Sequence, residues 1–298
     1  MEVSMFPPRF EYKAPATLDE ALDALAEGGE EAKVLSGGQS LIPLLKLRFA
    51  SPALIVDINR LPGLDRIEES DGHLRIGALV RHNDLAASDL LGGRYPAMAA
   101  AAPLVADPIV RNRGTMAGSL AHADPAGDWG SVMLALGGEV VATSSSGERV
   151  LPAAEFLVDT FTTALRPDEI LTEVRVPQPQ RSWGGAYLKL ERKVGDFATV
   201  GAAVQIEMSN GTIGSAGIGL TAVGAKNLKA ERSEGALRGA EPGREAFEEA
   251  GRLAALDCVP VSDDRGPADY KRAVVRAFVV RGLTRAAKLA GARTREGR

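Results

Sequence analysis

Residues 33–42 read Lys-Val-Leu-Ser-Gly-Gly-Gln-Ser-Leu-Ile. An apolar run enters two adjacent glycines flanked by hydroxyls, then leaves into a second apolar run. A plain turn explains the glycines, because Gly-Gly permits positive φ. An anion cradle explains them too. Glycines admit close backbone approach, and bare amides and hydroxyls donate to phosphate oxygens. The flanking sequence gives this stretch its place. Thr17-Leu-Asp-Glu20 is a capping box, with Leu18, Leu22 and Leu25 on one helical face, ended by Gly28-Gly29. Ala32 to Leu35 predicts a short strand. Residues 40–49 predict a helix, since Pro43 is tolerated in a first turn. Residues 53–58 predict a second buried strand. Strand, glycine loop, helix, strand is a βαβ unit. It sets Ser36 to Ser40 at a strand's C-terminal end and a helix's start, where anions are favoured. Turn and cradle both remain open readings.

From about residue 60 the texture changes. Residues 64–79 alternate on both sides of Asp71-Gly72, the pattern of an antiparallel hairpin. The alanine-rich residues 95–106 predict a helix. Residues 111–129, RNRGTMAGSLAHADPAGDW, read as a long polar loop, and such loops are commonly functional. A helical run, a strand-and-turn segment and the alternating DEILTEVRVP follow. Pro177 to Pro179 read as a linker. Beyond it lies a hairpin around Asn210-Gly211, and then helices. The last eight residues, GARTREGR, read as a loose basic tail, free to lie on a partner. Three parts result: 1–59, 60–177 and 178–298.

Composition removes several functions. The net charge of −4 gives no global field for nucleic acid. No apolar run spans a bilayer, and the start lacks signal-peptide features, so a cytoplasmic location is expected. A single cysteine, Cys258, builds neither a four-cysteine zinc site nor an iron–sulfur cluster, and its Ala/Leu-rich surroundings predict a buried small hydrophobe. His73, His82 and His122 show no metal-ligand spacing. Redox chemistry would then require an organic cofactor or another subunit.

Gly114-Thr-Met-Ala-Gly-Ser119 repeats the chemistry of the first glycine loop. Two such loops from different domains suit a pyrophosphate held between them. KVLSGGQSLIPLLKLR, ADPIVRNRGTMAGSLAHADPAGDW, LRPDEILTEVRVP and YLKLERKVGDFATVGAAV occur in one order. With them the chain resembles the FAD-binding medium subunit of the molybdenum hydroxylases. The resemblance is nearest to the carbon monoxide dehydrogenase type, and more distant to the flavin domain of xanthine dehydrogenase.

That resemblance implies an α+β architecture. Its core is the two-part FAD-binding fold of the p-cresol methylhydroxylase/vanillyl-alcohol oxidase type, followed by a C-terminal antiparallel sheet with helices. It implies that Ser36, Gly37, Gly38, Gln39 and Ser40, with Thr115, Met116, Ala117, Gly118 and Ser119, hold the FAD pyrophosphate and ribityl chain. Val34, Leu35, Leu41 and Ala106 flank them. Asp128 matches an acid near the adenosine end, Leu171 and Lys189 match the flavin's ring side, and Tyr187 matches an aromatic covering one ring face. Ala117 stands where the family often has glycine, Ser119 where it often has asparagine, and Gln39 where some relatives have histidine. The implied partners are an iron–sulfur small subunit, a molybdopterin-containing large subunit and an external electron acceptor, assembled as a dimer of heterotrimers. By residue chemistry alone, Asp128 also suits a helix cap, Tyr187 a core position and Lys189 a solvated strand stripe. His122 and Asp124 suit local loop bonds. A self-contained flavin reductase and a flavin-free assembly module are the other functional readings.

Overall fold

The computed structural model describes residues 6–179 and 182–296, with side chains described to residue 291. The opening βαβ unit forms as the sequence predicts. Ala32–Leu35 and Leu54–Asp57 pair in parallel, with the helix Leu41–Lys46 between them. A three-residue strand, Glu11–Lys13, adds in parallel to the far side of Leu54–Asp57. Sequence reading missed it because three residues carry no measurable alternation. The helix Leu18–Gly28 begins with the full capping box: the Glu20 amide donates to Thr17 Oγ1 at 3.2 Å, and the Thr17 amide to Glu20 Oε2 at 3.4 Å.

The middle of the chain is an antiparallel sheet. Its order is Ile67–Ser70, His73–Gly77, Ile170–Pro177, Glu139–Ser144, Gly147–Pro152. The first hairpin turns at Asp71 and Gly72, with φ of 51° and 76°, as a two-residue turn on twisted strands requires. Helices lie between His73–Gly77 and Glu139–Ser144, while its hairpins turn directly. The helix expected over residues 95–106 is shorter: an α-helix runs from Pro96 to Ala101, and Ala102–Leu104 tightens into a 3₁₀ turn around Pro103. A proline ring removes the amide needed to continue, whatever the alanines around it prefer.

One hydrophobic core joins the parallel unit to this middle region, running from Ala21 through Val56, Ile76 and Trp129 to Leu171. A second core lies under the C-terminal sheet, whose order is Trp183–Leu190, Val200–Ser209, Thr212–Thr221, Leu228–Lys229. Its central hairpin turns at Asn210 and Gly211, both at positive φ. The helix Asp128–Leu136 lies directly on this sheet. A Cβ at Gly217 would fall 1.8 Å from the Ala135 carbonyl oxygen, and one at Gly219 1.9 Å from that of Ser131. No side chain fits between them, so these glycines set the distance at which the C-terminal region docks.

The helices Arg244–Asp257 and Ala268–Glu296 complete the C-terminal core, and Cys258 is buried there as expected. The backbone remains helical through Glu296, which replaces the loose tail expected from residue 291; residues 297–298 lie outside the described residues. Among the described residues no helix is long and apolar enough to cross a membrane.

Candidate functional site

The two glycine segments, nearly eighty positions apart, meet. Ser36 Oγ and Thr115 Oγ1 lie 3.1 Å apart, and Ser36 Oγ also donates to the Ala78 carbonyl at 3.3 Å. Gly37 makes the approach possible, because a Cβ there would fall 2.5 Å from the Arg113 carbonyl oxygen and 2.7 Å from Gly114 Cα. Gly38 has φ +73°, the left-handed region that a turn out of the strand demands. The amides of Gly37, Gly38, Gln39 and Ser40 donate to no backbone or side-chain acceptor among the described residues. Gln39 turns its own amide back onto the Gly37 carbonyl at 3.2 Å, which leaves those amides uncovered. Unpaired amides beside a glycine bend suit the oxygens of a pyrophosphate. Val34, Leu35 and Leu41 flank the bend, half-buried.

The second segment corrects the expectation of a loop. Thr115 is the N-cap of a helix, Met116–His122, and its hydroxyl accepts from the Gly118 amide at 3.0 Å. Met116, Ala117 and Leu120 are buried, while Gly118 and Ser119 lie in the first turns. Glycine and serine weighted the sequence reading toward a loop. The missed signal was Thr followed by buried Met and Leu at helical spacing. Residues 107–112 also fold, as the capped turn Pro108–Arg111 behind Asp107. Ala106, just before it, takes φ 50°, held by Arg111 Nη1 donating to its carbonyl at 2.6 Å.

Asp128, Tyr187 and Lys189 form a second cluster. Tyr187 donates to Asp128 Oδ1 at 2.5 Å, and Lys189 Nζ donates to Asp128 Oδ2 at 3.0 Å and to the Leu104 carbonyl at 2.8 Å. Glu191 lies 3.3 Å from the same ammonium. Only 2% of the Lys189 side chain is exposed, so it is no solvated stripe. Nor is Asp128 a cap: Gly127 is the cap residue, and the carboxylate turns inward. Burial pushes the Asp128 carboxyl up, opposed by Lys189 and Tyr187. Burial, then Asp128, pushes the Tyr187 hydroxyl well above its ordinary range.

This cluster brings together three positions carried over by resemblance. Asp128 lies within hydrogen-bond distance of both Tyr187 and Lys189. Tyr187 is 3% exposed and belongs to the core, so it offers no open face. An aromatic left open nearby is Phe197, two residues beyond Gly195, where an added Cβ would fall 3.0 Å from the Asp107 amide nitrogen. Leu171 is buried on the strand against which the helix Met116–His122 packs.

His82 ties the two clusters together, and sequence reading had left it unassigned. Its amide donates to the Gly114 carbonyl at 3.0 Å, and its Nδ1 accepts from Trp129 Nε1 at 3.1 Å. Burial, helped by Arg111 and Arg81, lowers its pKa to about 4. His82 is therefore neutral near pH 7, and its ring supports the second segment from below. Asp124 accepts from the Ala126 amide at 2.9 Å, the local loop bond expected of it.

Residues 8–179 match the family model described as the FAD binding domain in molybdopterin dehydrogenase, and residues 185–286 match that of the CO dehydrogenase flavoprotein C-terminal domain. The carbon monoxide dehydrogenase medium chain of Hydrogenophaga pseudoflava is 42% identical over 95% of this chain and 98% of its own length. The xanthine dehydrogenase FAD-binding subunit of Escherichia coli O157:H7 is 26% identical over 94% of this chain and 97% of its own. Among solved structures, carbon monoxide dehydrogenase from Hydrogenophaga pseudoflava lacking the Mo-pyranopterin moiety superposes with a TM-score of 0.91 at 44% identity, covering 95% of this chain and 98% of that one. With its uncovered amides beside a glycine bend and family models over both halves, the chain belongs to the FAD-binding medium-subunit family of the molybdopterin dehydrogenases.

Proposed function

We propose that the chain is the flavin-holding electron-transfer subunit of a molybdenum hydroxylase. The observation that carries this reading is the junction of the two glycine segments, where uncovered amides and two hydroxyls converge. The amides of Gly37 to Ser40 bind the pyrophosphate, and the Ser36–Thr115 hydroxyl pair holds the two segments together beside it. Bound FAD supplies the redox chemistry, accepting electrons and releasing them to an acceptor. The chain orients it. Behind the cradle, the sealed Asp128–Lys189 cluster and the buried Leu171 support it from the core. In that cluster two carboxylates face one ammonium, so Lys189 presents little free positive charge to a ligand.

The division of labour follows from chemistry. Cys258 alone ligates no cluster, so electrons reach the flavin from an iron–sulfur small subunit. Substrate is oxidised on a molybdopterin-containing large subunit. The assembly is a dimer of heterotrimers in the cytoplasm, and an external acceptor completes the circuit. The parallel unit and the middle sheet form the two-part fold of the p-cresol methylhydroxylase/vanillyl-alcohol oxidase type. The division into 1–59, 60–177 and 178–298 is supported by the three-, five- and four-stranded sheets, one in each part, with a further two-stranded sheet inside the middle part. Relatives named for carbon monoxide and for xanthine share this architecture, which fits a substrate bound elsewhere.

The test is reconstitution. The purified chain should carry FAD that is released on denaturation. The flavin should bleach under anaerobic substrate only when cluster-bearing and molybdenum-bearing partners are present. Rapid bleaching by the chain alone would make it a self-contained enzyme. A colourless chain that takes up no FAD would reject the flavoprotein reading.

A further inference from the structure

We propose that Arg81 is a positioning residue of the cradle, a two-pronged clasp that sets the spacing between the two glycine segments. The inference rests on the reading that these segments hold the cofactor.

Arg81 begins where the strand His73–Gly77 has ended and the helix His82–Ala86 starts. One prong, Nη2, donates to Asn59 Oδ1 at 2.6 Å. The other, Nη1, donates to the Arg113 carbonyl at 2.6 Å. Asn59 in turn holds the first segment: its Nδ2 donates to the Ser36 carbonyl at 2.8 Å and to Asp57 Oδ1 at 2.6 Å. Arg113 immediately precedes Gly114 and Thr115. A continuous path therefore runs from Ser36, through Asn59 and Arg81, to the residue that opens the second segment. Asp57 is itself anchored by Tyr12, whose hydroxyl donates to Oδ2 at 2.6 Å.

The chemistry favours arginine. The two acceptors diverge, and a planar guanidinium offers donors in a fixed fork that an ammonium on a flexible stem cannot match. Both acceptors are neutral oxygens, so the contacts position groups rather than neutralise charge. The Arg81 backbone is fixed as well, its amide donating to Asp84 Oδ2 at 3.0 Å. Burial and the neighbouring Arg113 lower the guanidinium's pKa from its ordinary value. The direct contact between the segments is one hydroxyl pair and a glycine approach. The clasp braces that contact from outside, where a small separation would pull the amides of Gly37 to Ser40 away from Thr115.

The experiment uses the full chain stripped of FAD and titrated with FAD, read by quenching of flavin fluorescence, alongside melting of the apo-protein. Arg81→Met should raise the dissociation constant at least tenfold while the apo-protein melts within a few degrees of wild type. Arg81→Lys should lose nearly as much affinity, since it keeps the charge without the fork. Arg81→Met combined with Asn59→Ala should cost no more than the worse single variant. Wild-type affinity in Arg81→Lys would assign the effect to charge and overturn the clasp. Additive losses in the double variant would overturn the coupling through Asn59. Ser119→Glu serves as the control on the cradle, because it adds a carboxylate beside the second segment. If Ser119→Glu abolishes binding and Arg81→Met changes nothing, the clasp is wrong and the cradle stands. If neither changes affinity, the two segments do not hold the cofactor at all.

Discussion

The Ser36–Thr115 junction and the Asp128–Lys189 cluster each join distant parts of the chain, by opposite means. The first is neutral: two hydroxyls in contact, a glycine where a side chain would separate the segments, and amides left without partners among the described residues. The second is sealed and ionic: an aspartate 5% exposed takes both a phenol and an ammonium, and the helix that carries it lies on glycines of the C-terminal sheet. Unpaired backbone donors beside a glycine bend can be satisfied by water until a ligand replaces it. A sealed ion pair has no such alternative, and loss of one partner strands the other. Changes at the junction should therefore move ligand affinity, and changes at the cluster should move stability.

The largest effect is expected at the cluster. Lys189→Met leaves Asp128 buried without its ammonium and should destabilise the chain by about 3–5 kcal/mol in denaturant unfolding. Adding Asp128→Asn should recover much of that loss, because an amide can be buried without a counter-charge. A loss below about 1 kcal/mol would mean the pair behaves as a surface salt bridge, and the contrast with the junction would collapse.

His82 lies between the two sites and supplies a pH test. Its pKa falls from the ordinary 6.5 to about 4 on folding. Between those values the unfolded chain binds more protons than the folded one, so stability rises with pH through this window and is complete above it. Acidification from pH 7 to pH 4 should remove about 3 kcal/mol through this group. The measurement is urea unfolding across that range for wild type and His82→Gln. The variant should show a flatter profile; parallel profiles would remove His82 as the source.

At the junction the expected readout changes. Gly37→Ala puts a Cβ 2.5 Å from the Arg113 carbonyl oxygen and forces the segments apart. FAD affinity should fall by about 100-fold, roughly 2.7 kcal/mol in binding, with a smaller change in melting. A large melting change with intact affinity would assign Gly37 to the fold instead.

The smallest effect is a gain. Ala106 sits at φ 50°, where alanine is disfavoured by about 1–2 kcal/mol and glycine is not, although glycine's looser unfolded chain offsets part of the difference. Ala106→Gly should raise unfolding stability by about 0.5–1 kcal/mol. A loss would show that the Arg111 bond to its carbonyl does not depend on this conformation.

Local pattern was enough for what local physics decides. The capping box at Thr17, the strand–glycine–helix–strand order around Gly37, and the Asp71-Gly72 and Asn210-Gly211 turns follow from contacts only a few residues apart. The ordered motifs pointed to the family, and the first glycine segment to an anion site, because composition and spacing carry that information. Three things waited for the tertiary structure. Thr115 to Ser119 became a helix start rather than a loop, because burial of Met116 and Leu120 outweighed the looseness of glycine and serine. Asp128, Tyr187 and Lys189 became one cluster, although strand alternation set neither their burial nor their pairing. Arg81 met Asn59 and Arg113 across 22 and 32 positions. A side chain's partner at such separation is chosen by how the sheets dock, a free energy spread over the whole core, and no window of sequence contains it.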